Sequence, residues 1–327
     1  MGFTPETLPD LGGRVYLVTG GNTGIGFHTV LQLAAHHAKV YLCSRSEEKG
    51  RAAMKEIEAL LPDAELHLLK MDMTNLQSVV SAANEFCRRE KYLHGLVNNA
   101  GIMATPFTKT VDGYESQFQT NYLSHWLLTY YLLPTMVETA NNSVRGIVRI
   151  VNVSSNAHEN VPQFGIDLQD VDQVNGGPIS RYGSSKLASI LHTKELARRF
   201  SMPEARAAYS GFRSEGNTGG EIWVSSVHPG MVKTNLLSQA NGSMAVIIMG
   251  KILSGISKTG LVGLTPEDGA LTQLFAVASE GFTREMNGAY LIPIAKVGKP
   301  SKKAEDKQKA TDLWDWTEKE MKAKELI

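Results

Sequence analysis

Short runs of aliphatic and β-branched residues alternate with longer stretches in which apolar positions recur every three to four residues, through the first two thirds of the chain. The runs predict strands at Val15–Thr19, Lys39–Ser44, Glu65–Met71, Gly95–Asn98, Ile147–Val153, Ile222–Val227 and Ala289–Ile292. The periodic stretches predict helices at Gly24–His36, Glu47–Leu60, Asn75–Arg89, Asp112–Val137, Ser180–Phe200 and Pro266–Ala278. Strands and helices in alternation build a parallel sheet with crossover helices. Several strands are apolar at nearly every position, as a strand covered on both faces requires. The expected fold class is therefore α/β, a single doubly wound parallel sheet with helices on both faces.

Three segments break the rhythm: Asn156–Pro178, Pro203–Gly220 and the stretch after Gly230. Irregular segments of this length usually carry function or form surface insertions. Met244–Leu264 is the most apolar, but Lys251, Lys258 and several glycines interrupt it, so it does not read as a membrane span. The N-terminal MGFTPETLPDLGGR has no apolar run either. After Pro300 the chain is highly charged yet holds Leu313, Trp314 and Trp316, which suits a helix docked by its aromatic face. The 327 residues fit one large unit, with a core of about 14–295, a segment at about 236–264 over the substrate and a helical tail at about 300–327.

Lys and Arg total 33 and Asp and Glu total 33, so no broad positive field awaits a phosphate backbone and nucleic acid is not an expected partner. Cys43 and Cys87 are too few for a disulfide framework and sit in no close cluster that would suggest zinc; no metal is expected. A reducing compartment, the cytoplasm, fits best, with peripheral membrane contact by the apolar segment left open.

The first predicted strand runs directly into Thr19-Gly20-Gly21-Asn22-Thr23-Gly24-Ile25-Gly26 and then into an apolar-periodic helix. Glycines there allow a tight turn and let a pyrophosphate approach backbone amides at the helix N-terminus, where the helix dipole favours negative charge. A Gly-rich turn elsewhere in a chain is usually a plain loop; between a first strand and a first helix it points to a dinucleotide. Far downstream, Tyr182 and Lys186 stand four apart in a helical pattern and so share one face. An ammonium beside a phenol favours the phenolate and makes the tyrosine a usable acid/base. Bringing a tyrosine from about 10 towards neutrality takes about 4 kcal/mol, more than one cation is expected to supply without help.

The spacing TGxxxGxG, followed in order by Asn98-Asn99-Ala100-Gly101, Asn121, Ser154-Ser155 and Tyr182-Gly-Ser-Ser-Lys186, resembles the short-chain dehydrogenase/reductase family over residues 14–235. The resemblance implies a Rossmann-type domain and a catalytic set of Asn121, Ser155, Tyr182 and Lys186. Ser155 would hold the substrate oxygen, Tyr182 would transfer the proton, Lys186 would hold the nicotinamide ribose, and Asn121 would hold a water of a proton relay. Read without the resemblance, Asn121 is a helix-interior amide satisfied by solvent or backbone, and Tyr-x-x-x-Lys is a common surface pair. Ser155 and Tyr182 are 27 residues apart, wider than the family's common spacing, which makes Asn156–Pro178 an insertion beside the substrate.

For the cofactor the resemblance implies contacts from Gly20, Asn22, Thr23, Gly24, Ile25 and Gly26, from Asp72 and Met73 after the third strand, and from Asn99, Ala100 and Gly101. It adds Tyr182 and Lys186, then Pro229, Gly230, Val232 and Thr234 around the nicotinamide. The second strand ends in Cys43-Ser44-Arg45-Ser46, with an arginine where a carboxylate would bind a ribose 2′-hydroxyl, so NADP(H) is preferred, with Ser44 and Arg45 near its 2′-phosphate. A solvated arginine and a simple turn carboxylate at Asp72 are the plainer readings. His228 in Val227-His-Pro-Gly reads as structural.

The His-Pro-Gly string, the insertion and the Trp-bearing tail are most similar to the retinol-dehydrogenase-like branch. The expected activity is NADPH-dependent carbonyl reduction, reversible as alcohol oxidation, on a small apolar aldehyde, ketone or alcohol. Two further readings stay open: a biosynthetic ketoreductase acting on a bulky polycyclic substrate, and a non-catalytic NADP(H)-sensing protein. By resemblance, a homodimer or homotetramer would form through the helices bearing Asn121 and Tyr182.

Overall fold

A computed structural model describes residues 2–200, 221–232 and 262–327. Its centre is an eight-stranded sheet. In chain order the strands are β1 (Val15–Thr19), β2 (Lys39–Ser44), β3 (Leu66–Lys70), β4 (Gly95–Asn98), β5 (Val148–Val153), β6 (Ile222–Val227), β9 (Tyr290–Ile292) and β10 (Lys296–Gly298). A separate parallel pair, β7 (Met231–Val232) and β8 (Val262–Leu264), lies between β6 and β9 in sequence. The sheet order is β10-β9-β6-β5-β4-β1-β2-β3. All neighbours are parallel except β9 and β10, so the expected doubly wound parallel sheet carries one antiparallel edge strand. That strand went unpredicted because three residues around Val297, which is exposed, carry no apolar run.

Side chains alternate across the sheet, and each face has its own core. Leu17, Tyr41, Leu69, Leu96, Ile150 and Val224 face one way, towards α3 (Leu76–Arg89), α5 (Ser124–Asn141) and α6 (Pro178–Phe200). Tyr16, Val18, Val40, Leu42, Val97 and Val151 face the other, towards α1 (Gly24–Ala35), α2 (Glu47–Leu60) and α7 (Pro266–Ala278). Helix starts follow local chemistry. Ser46 accepts from Lys49 N, Asn75 accepts from Ser78 N, and Thr265 with Asp268 forms a reciprocal capping box.

The long helix expected over Asp112–Val137 begins later. Asp112-Gly113 makes a turn, with Gly113 at φ +89°, and the helix starts only at α4 (Ser116–Phe118), where the Glu115 carboxylate accepts from Phe118 N. A π-helical turn, Gln119–Leu123, then leads into α5. The Asp-Gly pair was a legible turn signal.

The C-terminal segment forms a 3-10 turn (Lys302–Glu305) and α8 (Lys307–Ala323), which packs on α6. Trp314 meets Trp126 edge-on at 5.2 Å, the Arg199 guanidinium lies over the Trp314 ring, and Tyr122 Oη is 2.7 Å from Thr317 Oγ1. The tail docks through its aromatic positions.

Candidate active site

The Gly-rich loop leaves β1 at the middle of the sheet, where the strand order turns back on itself, the usual place for a ligand crevice in such folds. Backbone approach there is close enough to demand glycine. A Cβ on Gly26 would lie 2.3 Å from Gly20 O and 2.6 Å from Asn99 Nδ2. Unlike α2 and α3, α1 has no side-chain cap, for Thr23 makes no capping hydrogen bond. Its first N–H groups are therefore left for a ligand, and the donor set fits the phosphates of a dinucleotide.

Thr19 organises the loop's base. Its hydroxyl oxygen accepts from both Asn99 N and Ala100 N at 2.9 Å, and Asn99 Nδ2 donates back to Thr19 O at 2.8 Å. Asn98 is structural: it donates to Asn152 Oδ1 and to Thr129 Oγ1 inside the sheet.

Tyr182 and Lys186 lie on α6, both buried, with the ammonium 5.7 Å from the phenol ring centroid. Lys186 Nζ donates to Val153 O at 2.8 Å rather than to the phenol oxygen. Burial lowers its pKa to about 8. Burial also pushes the Tyr182 phenol up to about 12, against a smaller lowering by a hydrogen bond with the Ser155 side chain. The sequence expectation is that one ammonium does not bring the phenol to neutrality unaided, and the direction of the shift agrees with it. Desolvation dominates, and Tyr182 stands protonated at neutral pH.

The two adjacent serines have separate tasks. Ser154 is buried and donates to Lys186 O at 2.8 Å, whereas Ser155 is half-buried and its Oγ accepts from Ala157 N at 3.1 Å. Asn121 is buried in the π-helical turn. Its side chain accepts from Ile102 N, donates to Ile102 O, and donates to Ser185 Oγ at 2.8 Å. Gly101 separates it from Lys186: a Cβ there would meet Asn121 Oδ1 at 3.1 Å and Lys186 Nζ at 3.5 Å. So Asn121, Gly101, Lys186, Tyr182 and Ser155 come together at one end of the sheet.

The residues expected around the adenosine lie at the ends of β2 and β3. Arg45 is exposed at the β2 tip with no ion pair among the described residues, and Ser44 is buried, donating to Ser46 O. Asp72 accepts from Thr74 N and Thr74 Oγ1, the turn-carboxylate geometry, with one oxygen uncommitted by these bonds. Met73 is buried and its carbonyl accepts from Ser124. Gly230, at φ +90°, follows buried Pro229, and Val232 packs against Gly269. His228 accepts from Gly230 N, and burial lowers its pKa to about 4. Thr234 and residues 236–261 of the expected substrate-covering segment lie outside the described residues.

The insertion after Ser155 is pinned at both ends. Gly183 of α6 approaches it so closely that a Cβ would be 2.6 Å from Asn160 O, and Asp172 bonds both Glu115 N and Lys109 Nζ. Sequence reasoning missed three supporting residues. His158, three after Ser155, donates from Nδ1 to Ser155 O at 2.7 Å and accepts from Ser301 N at Nε2. Ser185 links Asn121 to Tyr182 O. His125, one turn after Asn121 on the same apolar helix, faces Thr19. The i to i+4 spacing from Asn121 was the available signal for the last of these.

The chain as a whole matches known proteins. A family profile described as short chain dehydrogenase matches residues 14–167. The short-chain dehydrogenase/reductase drtF of Aspergillus calidoustus is 45% identical over 325 residues, covering 99% of this chain and 98% of that one. Retinol dehydrogenase 11 of Homo sapiens is 36% identical over 305 residues, 93% of this chain and 85% of its own. The crystal structure of a protein from Mycobacterium paratuberculosis superposes with a TM-score of 0.71 at 28% identity, covering 98% of both chains. The chain belongs to the short-chain dehydrogenase/reductase family of oxidoreductases, in its retinol-dehydrogenase-like branch.

Among the described residues, no helix is long and apolar enough to cross a membrane.

Proposed function

We propose that this oxidoreductase is an NADPH-dependent carbonyl reductase acting on a mainly apolar aldehyde or ketone, with Tyr182 as proton donor. The observation that carries the reading is the pairing of a buried, protonated Tyr182 with the half-buried Ser155, beside Lys186. A phenol held protonated is the form needed to give a proton to a developing alkoxide. Bound reduced nicotinamide supplies the hydride when present. Ser155 and Tyr182 hold the carbonyl oxygen by two hydrogen bonds, and the proton moves from Tyr182 Oη to that oxygen. The phenolate left behind is stabilised by Ser155 and by the Lys186 charge. Asn121, across Gly101 from Lys186, is the residue proposed for the proton relay.

Preference for NADPH rests on Arg45 at the end of β2, where no carboxylate stands to repel a 2′-phosphate. The apolar substrate class rests on the Met-, Ile-, Leu- and Val-rich composition of residues 236–264 and on a relative named for retinol.

The test is nicotinamide oxidation by purified protein with NADPH and NADH in parallel, over aliphatic, aromatic, retinoid, steroid and polycyclic carbonyls. Tyr182→Phe should abolish turnover and leave NADPH binding largely intact, while Arg45→Asp should shift preference towards NADH. Normal turnover by Tyr182→Phe would defeat the assignment.

A further inference from the structure

His125 is 3% exposed and sits between Thr19, at the end of β1, and the π-helical turn that holds Asn121. Its Nδ1 is 3.0 Å from Asn121 O, a carbonyl that only accepts, so Nδ1 carries the ring proton. Burial lowers the imidazole pKa to about 3, so the ring is neutral and Nε2 bears a lone pair. That lone pair lies 2.8 Å from Thr19 Oγ1, closer than Val97 O at 3.4 Å, and so takes the Thr19 hydroxyl proton as the nearer acceptor. The same oxygen accepts from Asn99 N and Ala100 N, which fills its remaining capacity.

Every donor then points one way. Thr19 donates to His125, His125 to Asn121 O, Asn121 Nδ2 to Ser185 Oγ, and Ser185 to Tyr182 O. The chain of bonds begins at the residue that opens the Gly-rich loop and ends on the backbone of the tyrosine.

We propose that His125 is a positioning residue for both halves of the site, holding the Thr19 hydroxyl in the orientation that fixes Asn99 and Ala100 against the loop, and holding the Asn121 carbonyl under the catalytic helix. The proposal deepens the reductase reading and rests on it. His125 touches neither nucleotide nor substrate; it acts through Thr19 and Asn121. Because Nε2 serves the loop and Nδ1 serves the turn that holds Asn121, the two functions are separable by shortening or extending the side chain.

His125→Asn keeps a donor near the position of Nδ1 but cannot reach Thr19. His125→Gln places an acceptor near Nε2 but has no donor at Nδ1. In the full-length protein, NADPH dissociation constants from fluorescence titration, steady-state kcat, and thermal melting should be measured together. The Asn variant should weaken NADPH binding about tenfold with kcat changed less than about threefold, and the Gln variant should lower kcat about tenfold with NADPH affinity nearly unchanged. Thr19→Val, which also takes the acceptor from Asn99 N and Ala100 N, should weaken NADPH binding at least as much as the Asn variant, and Thr19→Val/His125→Asn should lose no more than Thr19→Val alone, because the bond between the two residues is already gone.

Parallel losses of melting temperature with unchanged binding and kcat, or additive losses in the double variant, would overturn the proposal. A wild-type protein that binds NADPH but reduces no carbonyl sinks the reductase reading alone, and the dissociation constants then decide on His125. A chain binding neither NADPH nor NADH overturns both.

Discussion

Ser154 and Lys186 are joined by a hydrogen bond from the serine hydroxyl to the lysine backbone carbonyl, 2.8 Å long and buried, which clamps α6 to the end of β5. The bond commits the Ser154 hydroxyl to the backbone, while it is the Ser155 side chain that hydrogen-bonds Tyr182, in keeping with the proposed roles. Ser155→Ala should therefore lower kcat by roughly 100-fold or more with little change in melting temperature, as loss of a donor to a developing oxyanion does. Ser154→Ala should do the reverse, costing about 1 kcal/mol of stability while kcat stays within a few fold. Kinetics and melting curves on the two purified variants separate these outcomes, and equal effects on kcat would reassign the pair.

Buried histidines should make the protein sensitive to acid above the range where carboxylates titrate. His192 is 3% exposed, packs against Tyr122 and Trp314, and has no partner for Nε2. Burial lowers its pKa to about 3 from an ordinary 6.5. The unfolded chain thus binds the proton first, so the stability due to the neutral ring is complete above pH 6.5 and is lost progressively as pH falls towards 3. Replacing His192 by Leu should flatten the decline in melting temperature between pH 6.5 and 4, by up to a few kcal/mol of stability at the acid end. An unchanged pH profile for His192→Leu would show that another group sets the acid limit.

The tail carries a large share of one core. Trp314 is 2% exposed, between Trp126, His192 and the Arg199 guanidinium. Trp314→Ala should destabilise the protein by roughly 3–5 kcal/mol, and because α8 rests on α6, kcat should fall together with thermal stability. Urea titration followed by activity in the folded range measures both; full activity in the folded fraction would uncouple the tail from the site.

Much of the sheet was legible because several of its strands are short, near-continuous apolar runs that alternate with periodic helical stretches. β1, β2, β4 and β6 begin and end where the residues predict, as do α2 and α7. Local patterns fail where tertiary contact decides. Nothing in the sequence around Gln119–Leu123 announces a π-helical turn, which forms where Asn121 turns to meet Ile102 and His125 meets Thr19. The motifs named residues that gather at the site, but not that Lys186 would direct a donor to Val153 O or that burial would push the Tyr182 phenol up. Desolvation depends on every atom packed around a group, and no spacing rule encodes it.

His158 joins Ser155 O to Ser301 N, and Thr317 and Glu320 of α8 bond the hydroxyls of Tyr122 and Tyr114. These partners are synthesised after all eight strands of the sheet. During translation, the emerging chain can pair its strands while the face of α6 beneath Trp314 is still bare. The catalytic helix gains its cover only when residues 301–327 have left the ribosome. A chain ended before residue 301 should consequently hold all eight strands yet leave α6 uncovered and open to proteases.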